Sequence, residues 1–581
     1  MDKINLAQPK NKEIKIENRF DRYFDTEPEL KFISKLRDEL PELKLYLVGG
    51  IVRDTLVKHP LPGTEKGKIK SKDFDFVACG TEIDKLIKTL KKFGHVDLVG
   101  KNFGVLKVYP FDIEVDEPID IALPRTEIAG GSGSYKDVET QSDPNLPVEE
   151  DLSRRDLTIN AIAYDINNQE IIDPFNGQKD LEKGIIRAVG NPEERFGEDY
   201  SRMLRALRFS CRFDFEIDKK TWQALVKLMP HINDLNPETE GMTVIEFLEQ
   251  ELLNAKTRKD KQILQKKIKA QQKKDPDEIK IDRLVPFETI RVELFKMFSA
   301  DPTKAIKTLD KSEALKEILP EIENMKGCEQ PPQFHSEGDV FKHTKMMLEK
   351  LTSPEFNKQF PNANITPEFI MGVLFHDIGK PTTQTLDGDR IRFNGHDKEG
   401  TEIASHIASR LKFTTKQKEK INFMIRNHMF LMSSPDIFKI SNNKVAKRFI
   451  DSPHSQDLLM LFYLDANSSV HPDGSVPMKN FNDTLEKIEQ IKTIRANQPK
   501  NTNDIINGKE IIKILAIKGG ALIGLIKNVI AELSDAGKIN SNEDAVTFLQ
   551  ENKTLLLKYS EINPKDDKNL LLEEILQNIK I

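Results

Sequence analysis

Two aspartates, Asp73 and Asp75, stand one residue apart, 23 residues after a Gly49-Gly50 pair. The local sequence runs Leu45-Tyr46-Leu47-Val48-Gly49-Gly50-Ile51-Val52-Arg53-Asp54, then Asp73-Phe74-Asp75-Phe76-Val77. An apolar run ending in two glycines reads as a strand that opens into a helix. Side chains repeat every second residue along a strand, so the second run puts both carboxylates on one face and Phe74 and Phe76 on the other. Carboxylates held side by side repel unless a cation lies between them. Mg2+, bound by carboxylates and substrate phosphates, is the ion expected. The glycines let the backbone approach a phosphate, which the N-terminus of the following helix attracts. Each piece alone reads as a turn or a solvated Asp-x-Asp. Together, in this order, they describe a site for a metal-nucleotide complex.

A second constellation is rich in imidazole. Six of the eleven histidines lie between His335 and His428. The order is His343, His376-Asp377, His396, His406 and His428, and Asp465 follows an apolar helix. Mixed imidazole and carboxylate ligation suits a transition metal that activates water against a phosphoester. His406 reads as a helix-face residue rather than a ligand.

The elements that must hold these groups fall into several domains, since 581 residues exceed a single core. Residues 1–40 read as a polar tail and a helix. Residues 41–125 alternate helix and strand, with a helix at 82–93 and strands at 103–109 and 119–123. The stretch 130–147 is a loop by composition, and from Asp151 the pattern turns helical. Residues 254–284 are mostly charged and form either an exposed helical hairpin or a disordered insert. Helical patterning returns at 286–319 and resumes in a Lys/Asn-rich C-terminal region. Residues 58–72 lengthen the loop before Asp73; their lysine-rich end, 67–72, is either solvated or a phosphate contact. The expected organisation is a tail (1–40), a head (41–165), a helical neck and body (166–330) with the 254–284 insert, a histidine-rich helical domain (331–475) and a helical C-terminal region (476–581).

Apolar content of 38% with 31% charged residues fits a soluble globular protein. No apolar run reaches the roughly 20 residues that span a bilayer. The first twenty residues lack the character of a signal or transit peptide. Three scattered cysteines, Cys79, Cys211 and Cys328, read as reduced and buried, which points to the cytoplasm. The net charge of −6 gives no global basic signature, so a nucleic-acid surface must be a local patch.

The ordered motifs carry a resemblance. By Asp75 the chain resembles DNA polymerase β-type nucleotidyltransferases. Arg154-Arg155-Asp156-Leu157-Thr158-Ile159-Asn160-Ala161, then Asp173-Pro174 to Gly177 with Ile186-Arg187-Ala188-Val189-Gly190-Asn191-Pro192, then Glu198-Asp199-Tyr200-Ser201-Arg202-Met203-Leu204-Arg205, resemble motifs of the class II tRNA nucleotidyltransferase and poly(A) polymerase family. The match spans about residues 40–330. It implies an α+β fold: a small mixed sheet with helices as the head, then an all-α neck and body.

It also implies roles. Asp73 and Asp75 would hold the two metals of an in-line phosphoryl displacement. Asp120 is a candidate third carboxylate, with an ordinary strand-end aspartate as the alternative. Gly49, Gly50 and Arg53 would meet the triphosphate, and Arg154 and Arg155 offer bidentate phosphate contacts. Asp156 and Asn160, four apart and expected on one helix face, would read the ribose. Asp199 and Arg202, three apart on an expected helix, would read the Watson–Crick edge of the incoming base, with an intrahelical salt bridge as the alternative. Arg205 joins Arg202 among the expected nucleotide-binding residues; Arg202, Arg205, Arg208 and Arg212 could also contribute to the basic strip for tRNA, and for Arg205 and Arg208 the alternative is support of the fold. Position 157 is Leu where the family usually has Phe, and position 200 is Tyr where Pro is common.

The histidine-rich segment resembles HD-type phosphohydrolases. That resemblance implies an all-α domain with one metal on His343, His376, Asp377 and Asp465. His396 and His428 would hold a second metal or contact phosphate. Ni2+, Mn2+ and Fe2+ are the candidate ions. The alternative is a degenerate HD fold kept as RNA-binding body. The implied activity is CCA addition to tRNA from CTP and ATP, with an added phosphohydrolase or phosphodiesterase. A poly(A) polymerase or partial CC- or A-adding enzyme of the same family is one alternative. An HD phosphohydrolase with a binding-only head is the other.

Overall fold

The computed structural model describes residues 17–57, 73–99, 104–111, 113–115, 117–129, 133–134, 138–236, 242–254, 258–274, 282–388, 390–430, 436–497, 505–517, 520–535, 537–559 and 568–579. The lysine-rich 67–72 stretch and the rest of the 58–72 loop lie outside the described residues. The chain divides into two compact units, Met1–Glu323 with Arg410–Lys412, and the remainder from Asn324 to Ile581.

In the first unit, β1 (Lys44–Val48) and β2 (Asp75–Cys79) form the centre of a seven-stranded sheet. The others are β3 (Gly94–Val99), β4 (Val105–Pro110), β5 (Ile119–Ala122), β8 (Ala163–Asp165) and β9 (Glu170–Ile172), in the order β3-β4-β5-β2-β1-β8-β9. Only β2 and β5 run parallel; the remaining pairs are antiparallel. The sheet is therefore mixed, as expected. Both faces are covered: Val77 and Cys79 pack with Tyr46, Val48, Val148, Leu152 and Ala163, and Phe76 and Ala78 are buried on the opposite face. Each such apolar side chain contributes roughly 1.5–3 kcal/mol on burial, enough to hold the carboxylate end of β2 in place.

Two sequence expectations are corrected here. The stretch expected as a loop contains β7 (Val138–Ser142), which pairs antiparallel with β6 (Arg125–Ala129). The Gly/Ser-rich residues between them mask the pattern of a hairpin. The pattern after Asp151 is not uniformly helical, because β8 and β9 follow the arginine motif and extend the sheet beyond residue 165. Three-residue strands are too short to show a period.

The helix Ser201–Phe213 packs along Phe287–Ala300, and most of its residues are buried. The charged segment is helical: Arg258–Lys274 packs on Val244–Asn254 as a hairpin. The stretch thus holds one described helix, and the other arm of the hairpin lies ahead of residue 254.

The second unit is mostly helical. Five helices, Val340–Lys350, Pro367–Phe375, His396–Arg410, Thr415–Asn427 and Ser455–Ser468, carry the histidine motif. Asp339, Thr366 and Thr414 cap three of them through side-chain oxygens. Pro367–Phe375 is buried from Phe369 to Phe375 without a polar face, the pattern of a central helix. The all-α expectation needs one correction: Thr385–Asp387 and Arg390–Arg392 form a small antiparallel hairpin. Beyond residue 505, Ile511, Leu515, Ile526, Val529, Leu549, Leu556 and Ile575 build a separate apolar core. All three cysteines are buried and free.

Candidate active sites

At the head, the parallel pairing of β2 and β5 sets Asp75 directly opposite Asp120. Asp73 lies exposed just ahead of β2. Gly49 ends β1 with a positive φ of 78°, and a Cβ there would lie 3.0 Å from an Asp75 carboxylate oxygen. Only glycine takes that conformation freely, and only glycine leaves that approach open. The same point is 3.8 Å from Nη1 of Arg155. Burial pushes the Asp75 carboxyl up to about 6; Asp120 and Asp73 push the same way, and Arg155 and Lys107 oppose them. A carboxylate disfavoured by burial and like charge is a donor that a bound cation would relieve. Lys107 Nζ donates to an Asp120 oxygen at 3.1 Å. Asp73, Asp75 and Asp120 do not gather as tightly as the groups of three within the histidine cluster described below, each of which has its ligand atoms within 4.8 Å of one another.

The arginine motif follows the short helix Val148–Ser153. Asp151, fully buried, accepts from Arg154 Nη2 at 2.6 Å and from Arg155 Nη2 at 3.1 Å. One carboxylate thus aims two neighbouring guanidinium groups. Asp151 sits three and four residues before them, a helical spacing that could have found it in the sequence.

Asp156 and Asn160 do meet, with Nδ2 of Asn160 donating to Asp156 Oδ1 at 2.9 Å. The element is a 3-10 turn, Thr158–Asn160, and not the α-helix expected; spacing alone does not separate the two. Asp156 also accepts from Arg205 Nε at 2.6 Å and from the Leu157 amide at 2.8 Å. Burial opposes its charge, but Arg205 and these hydrogen bonds win and hold it down at about 2.

Arg53 is buried. It donates to Asn160 Oδ1 at 2.7 Å, pairs with Asp54 at 2.6 Å and lies over the rings of Phe209 and Phe213. These contacts engage the Arg53 guanidinium in the interior, between Asn160, Asp54 and two aromatic rings. Asp54 also binds Arg212 at 2.9 Å, and Arg208 pairs with Glu293 at 2.7 Å. Both arginines thus serve the fold.

Asp199 precedes the helix Ser201–Phe213 rather than lying in it. Its carboxylate accepts from the Ser201 amide at 2.9 Å. Arg202 Nη1 donates to Glu198 at 2.5 Å and to the Arg195 carbonyl at 3.2 Å. Tyr200, where the family pattern has Pro, stacks on His231 at 5.4 Å, and its amide donates to the Gly133 carbonyl at 3.1 Å.

In the second unit the ligands expected from the sequence converge from five helices. His343, His376 and Asp465 form one group, and Asp377, His396 and His428 another, each with its ligand atoms within 4.8 Å. Asp377 joins them: one oxygen is 3.1 Å from His376 Nε2, and the other is 3.4 and 3.5 Å from Nε2 of His396 and His428.

The imidazoles share one orientation. Nδ1 of His376, His396 and His428 lies 2.6–2.8 Å from the carbonyl three residues back. A carbonyl only accepts, so Nδ1 carries a proton and Nε2 faces inward. Nε2 of His376 is buried 3.1 Å from an Asp377 oxygen, and those of His396 and His428 face each other at 3.0 Å. Inward imidazole nitrogens gathered in this way around a carboxylate fit divalent metal ions.

His343 is held by Glu337, whose carboxylate accepts from His343 Nδ1 at 2.8 Å, His335 Nδ1 at 2.7 Å and the Val470 amide at 2.9 Å. Burial of His343 disfavours its charge, yet Asp465 and Glu337 raise it to about 9. Glu337 and buried Lys380, whose Nζ is 2.6 Å from Asp377, carry no signal in the sequence that marks them. Gly379 lies so close to the next helix that a Cβ would sit 2.3 Å from the His396 carbonyl. His406 is exposed on its helix, as expected.

Residues 45–187 match the Poly A polymerase head domain family, and residues 340–456 match the HD domain family. The chain is 31% identical over 387 residues to the multifunctional CCA protein of Neisseria gonorrhoeae, covering 67% of this chain and 74% of that one. It is 29% identical over 386 residues to the multifunctional CCA protein of Nitrosomonas eutropha, covering 66% and 73%. The fold resembles a CCA-adding enzyme in an apo form, with a TM-score of 0.54 and 19% identity over 92% of this chain and 97% of that one. It also resembles the Bacillus stearothermophilus CCA-adding enzyme in complex with CTP, with a TM-score of 0.53 and 17% identity over 91% and 99%.

Proposed function

The chain belongs to the family of multifunctional CCA proteins, and from that premise we propose that it is a CCA-adding tRNA nucleotidyltransferase. It joins CMP, CMP and AMP to a tRNA 3′ end from CTP and ATP, without a nucleic-acid template. The observation that carries this is the pairing of Asp75 with Asp120 beside the open Gly49 backbone and Arg155.

Asp73 and Asp75 would hold Mg2+, with Asp120 as third carboxylate. When bound, Mg2+ supplies Lewis-acid stabilisation of the developing phosphate charge. Gly49, Gly50, Arg154 and Arg155 bind the triphosphate, the two arginines aimed by Asp151. The tRNA 3′ oxygen then attacks the α-phosphorus in line, the bond to the bridging oxygen breaks, and pyrophosphate leaves. Asp156 and Asn160 face the ribose, with Arg205 and Arg53 fixing them from behind. Asp199 and Arg202 offer an acceptor and donors to the base edge. The nucleotidyltransferase head is assigned to 41–165 with its sheet completed by β9, the neck and body to 166–330, and the HD domain to 331–475.

The second centre is a phosphohydrolase or phosphodiesterase acting on phosphorylated RNA ends. His343, His376, Asp377 and Asp465 would hold one divalent metal, and His396 and His428, with Asp377 shared, a second. Such a metal lowers the pKa of bound water toward neutrality. Ni2+, Mn2+ or Fe2+ suits the imidazole-rich set. No helix among the described residues is long and apolar enough to cross a membrane, and three free, buried cysteines suit a reducing cytoplasm.

Incorporation on defined ends tests the main claim. Purified protein with Mg2+ is given tRNA ending at the discriminator base, at C or at CC, with CTP, ATP or both. Two C additions, then one A and a stop, are expected. Long A tails would instead make it a poly(A) polymerase, and an absence of incorporation would leave only the HD centre as enzyme.

A further inference from the structure

We propose that the helix Arg258–Lys274 is an electrostatic arm that binds the phosphate backbone of tRNA, outside the motifs of the transfer centre. The proposal rests on the tRNA reading above. The helix has 17 residues and is therefore about 25 Å long. It carries eight Lys or Arg and one acidic residue, Asp260, in a chain whose net charge is −6.

Its two faces are used differently. Ile268 is buried and Leu264 and Gln271 are half-buried, at the i, i+4, i+7 spacing of a packed stripe. That stripe is satisfied by Val244–Asn254, the other arm of the hairpin. At 100° per residue, Lys266 and Lys269 fall on the opposite side, and the same spacing continues in the sequence at Lys273. Lys261, Lys266, Lys267 and Lys269 are all exposed, and none has an ion-pair or hydrogen-bond partner among the described residues.

Neighbours three and four apart on a helix are about 5–6 Å from one another, and like charges at that spacing destabilise it. The helix carries this repulsion with almost no acid of its own to offset it. A polyanion laid along the ridge relieves it and releases the polyanion's counterions. Among polyanions and acidic surfaces the chemistry favours structured RNA, which is read mainly through backbone and shape. A membrane-lying helix needs a free, aromatic-rich apolar face; here the apolar stripe is already packed and the helix contains no aromatic residue. A protein partner needs buried anchors. The helix shows only Ile263 as an exposed large apolar side chain.

The test measures binding of the full chain to tRNA across a salt series. It compares wild type with a quadruple variant, Lys261→Gln, Lys266→Gln, Lys267→Gln and Lys269→Gln, and with the matching quadruple Lys→Arg variant. The Gln variant is expected to bind at least tenfold more weakly at low salt. Its log–log salt slope should be shallower by roughly 0.7–0.9 for each phosphate that the variant no longer neutralises. The Arg variant should retain both affinity and slope, which separates charge from folding. CCA addition at saturating tRNA should stay as in wild type. Equal affinity and slope in wild type and the Gln variant would overturn the proposal and leave the ridge as a solvated surface. A wild-type protein that binds no tRNA would overturn the functional reading instead.

Discussion

Asp75 is a carboxylate held against its preference. Burial first, then Asp120 and Asp73, raise its pKa to about 6, against roughly 3.9 in an unfolded chain. The folded, metal-free protein therefore binds this proton more tightly than the unfolded chain. The stabilising effect is full at low pH and is lost as pH rises through about 6. Asp75→Asn should accordingly raise the melting temperature of metal-free protein by a few degrees at pH 8 and have little effect at pH 4. The same variant should abolish nucleotide incorporation and leave the second centre working. Equal melting shifts at both pH values would show that Asp75 is not strained by ionisation.

Glu337 works through its neighbour, presenting Nε2 of His343 to the cluster. Glu337→Gln should weaken metal binding at this centre about 10–100-fold, read by metal content after dialysis, with incorporation at the head unchanged. Retained metal content would reduce Glu337 to a packing residue. Glu337 did not announce itself in the sequence, whereas Asp151 stands at helical spacing from Arg154 and Arg155. A lone carboxylate has no period, and its task is set by neighbours that only folding supplies. Asp73, Asp75, His376 and Asp377 were legible because two or more chemistry-bearing residues sat together in an ordered series.

At the level of elements, the 3-10 turn Thr158–Asn160 and the helix Ser201–Phe213 are joined by Asp156, Arg205, Asn160 and Arg53. Asp156→Ala would leave Asn160 and Arg205 without their acceptor. Breaking a wholly buried pair costs about 3–5 kcal/mol. Arg205 is more than a third exposed, so solvent screens part of that loss, and a cost of about 2 kcal/mol is expected from denaturant unfolding. Discrimination between ribo- and deoxyribonucleotides should fall in the same variant. Because Asp156 is held at about 2, its contribution is present above about pH 4 and fades as pH falls toward 2. A variant as stable as wild type would break this link. The β6–β7 hairpin and the short β8 and β9 were illegible for a different reason. Their order comes from pairing with other strands, whereas β1 advertises itself by a continuous apolar run and β2 by alternation at Asp73–Val77.

At the level of the whole molecule, two different sets of donor atoms occupy one chain. The head offers hard carboxylate oxygens and the second unit offers mainly imidazole nitrogens, so the two should part on metal exchange. After exhaustive chelation, Mg2+ alone should restore nucleotide incorporation, while hydrolysis of phosphorylated RNA ends should need Mn2+, Ni2+ or Fe2+. Recovery of both activities by Mg2+ alone would contradict the division. The motif order pointed in advance to the head and HD domain families that the chain matches. The separate apolar core beyond residue 505 was not, because isoleucine- and leucine-rich helices carry no mark of the partner they will pack on.

The inward-facing histidines have one more consequence. Free neutral imidazole favours the tautomer protonated at Nε2, yet His376, His396 and His428 each give Nδ1–H to a carbonyl in their own turn of backbone. The orientation of each ring is thus written locally, helix by helix, and does not await an ion. Nitrogen-15 spectra of metal-free protein should show Nδ1 protonated at all three rings, a spectral signature of a socket shaped before anything fills it.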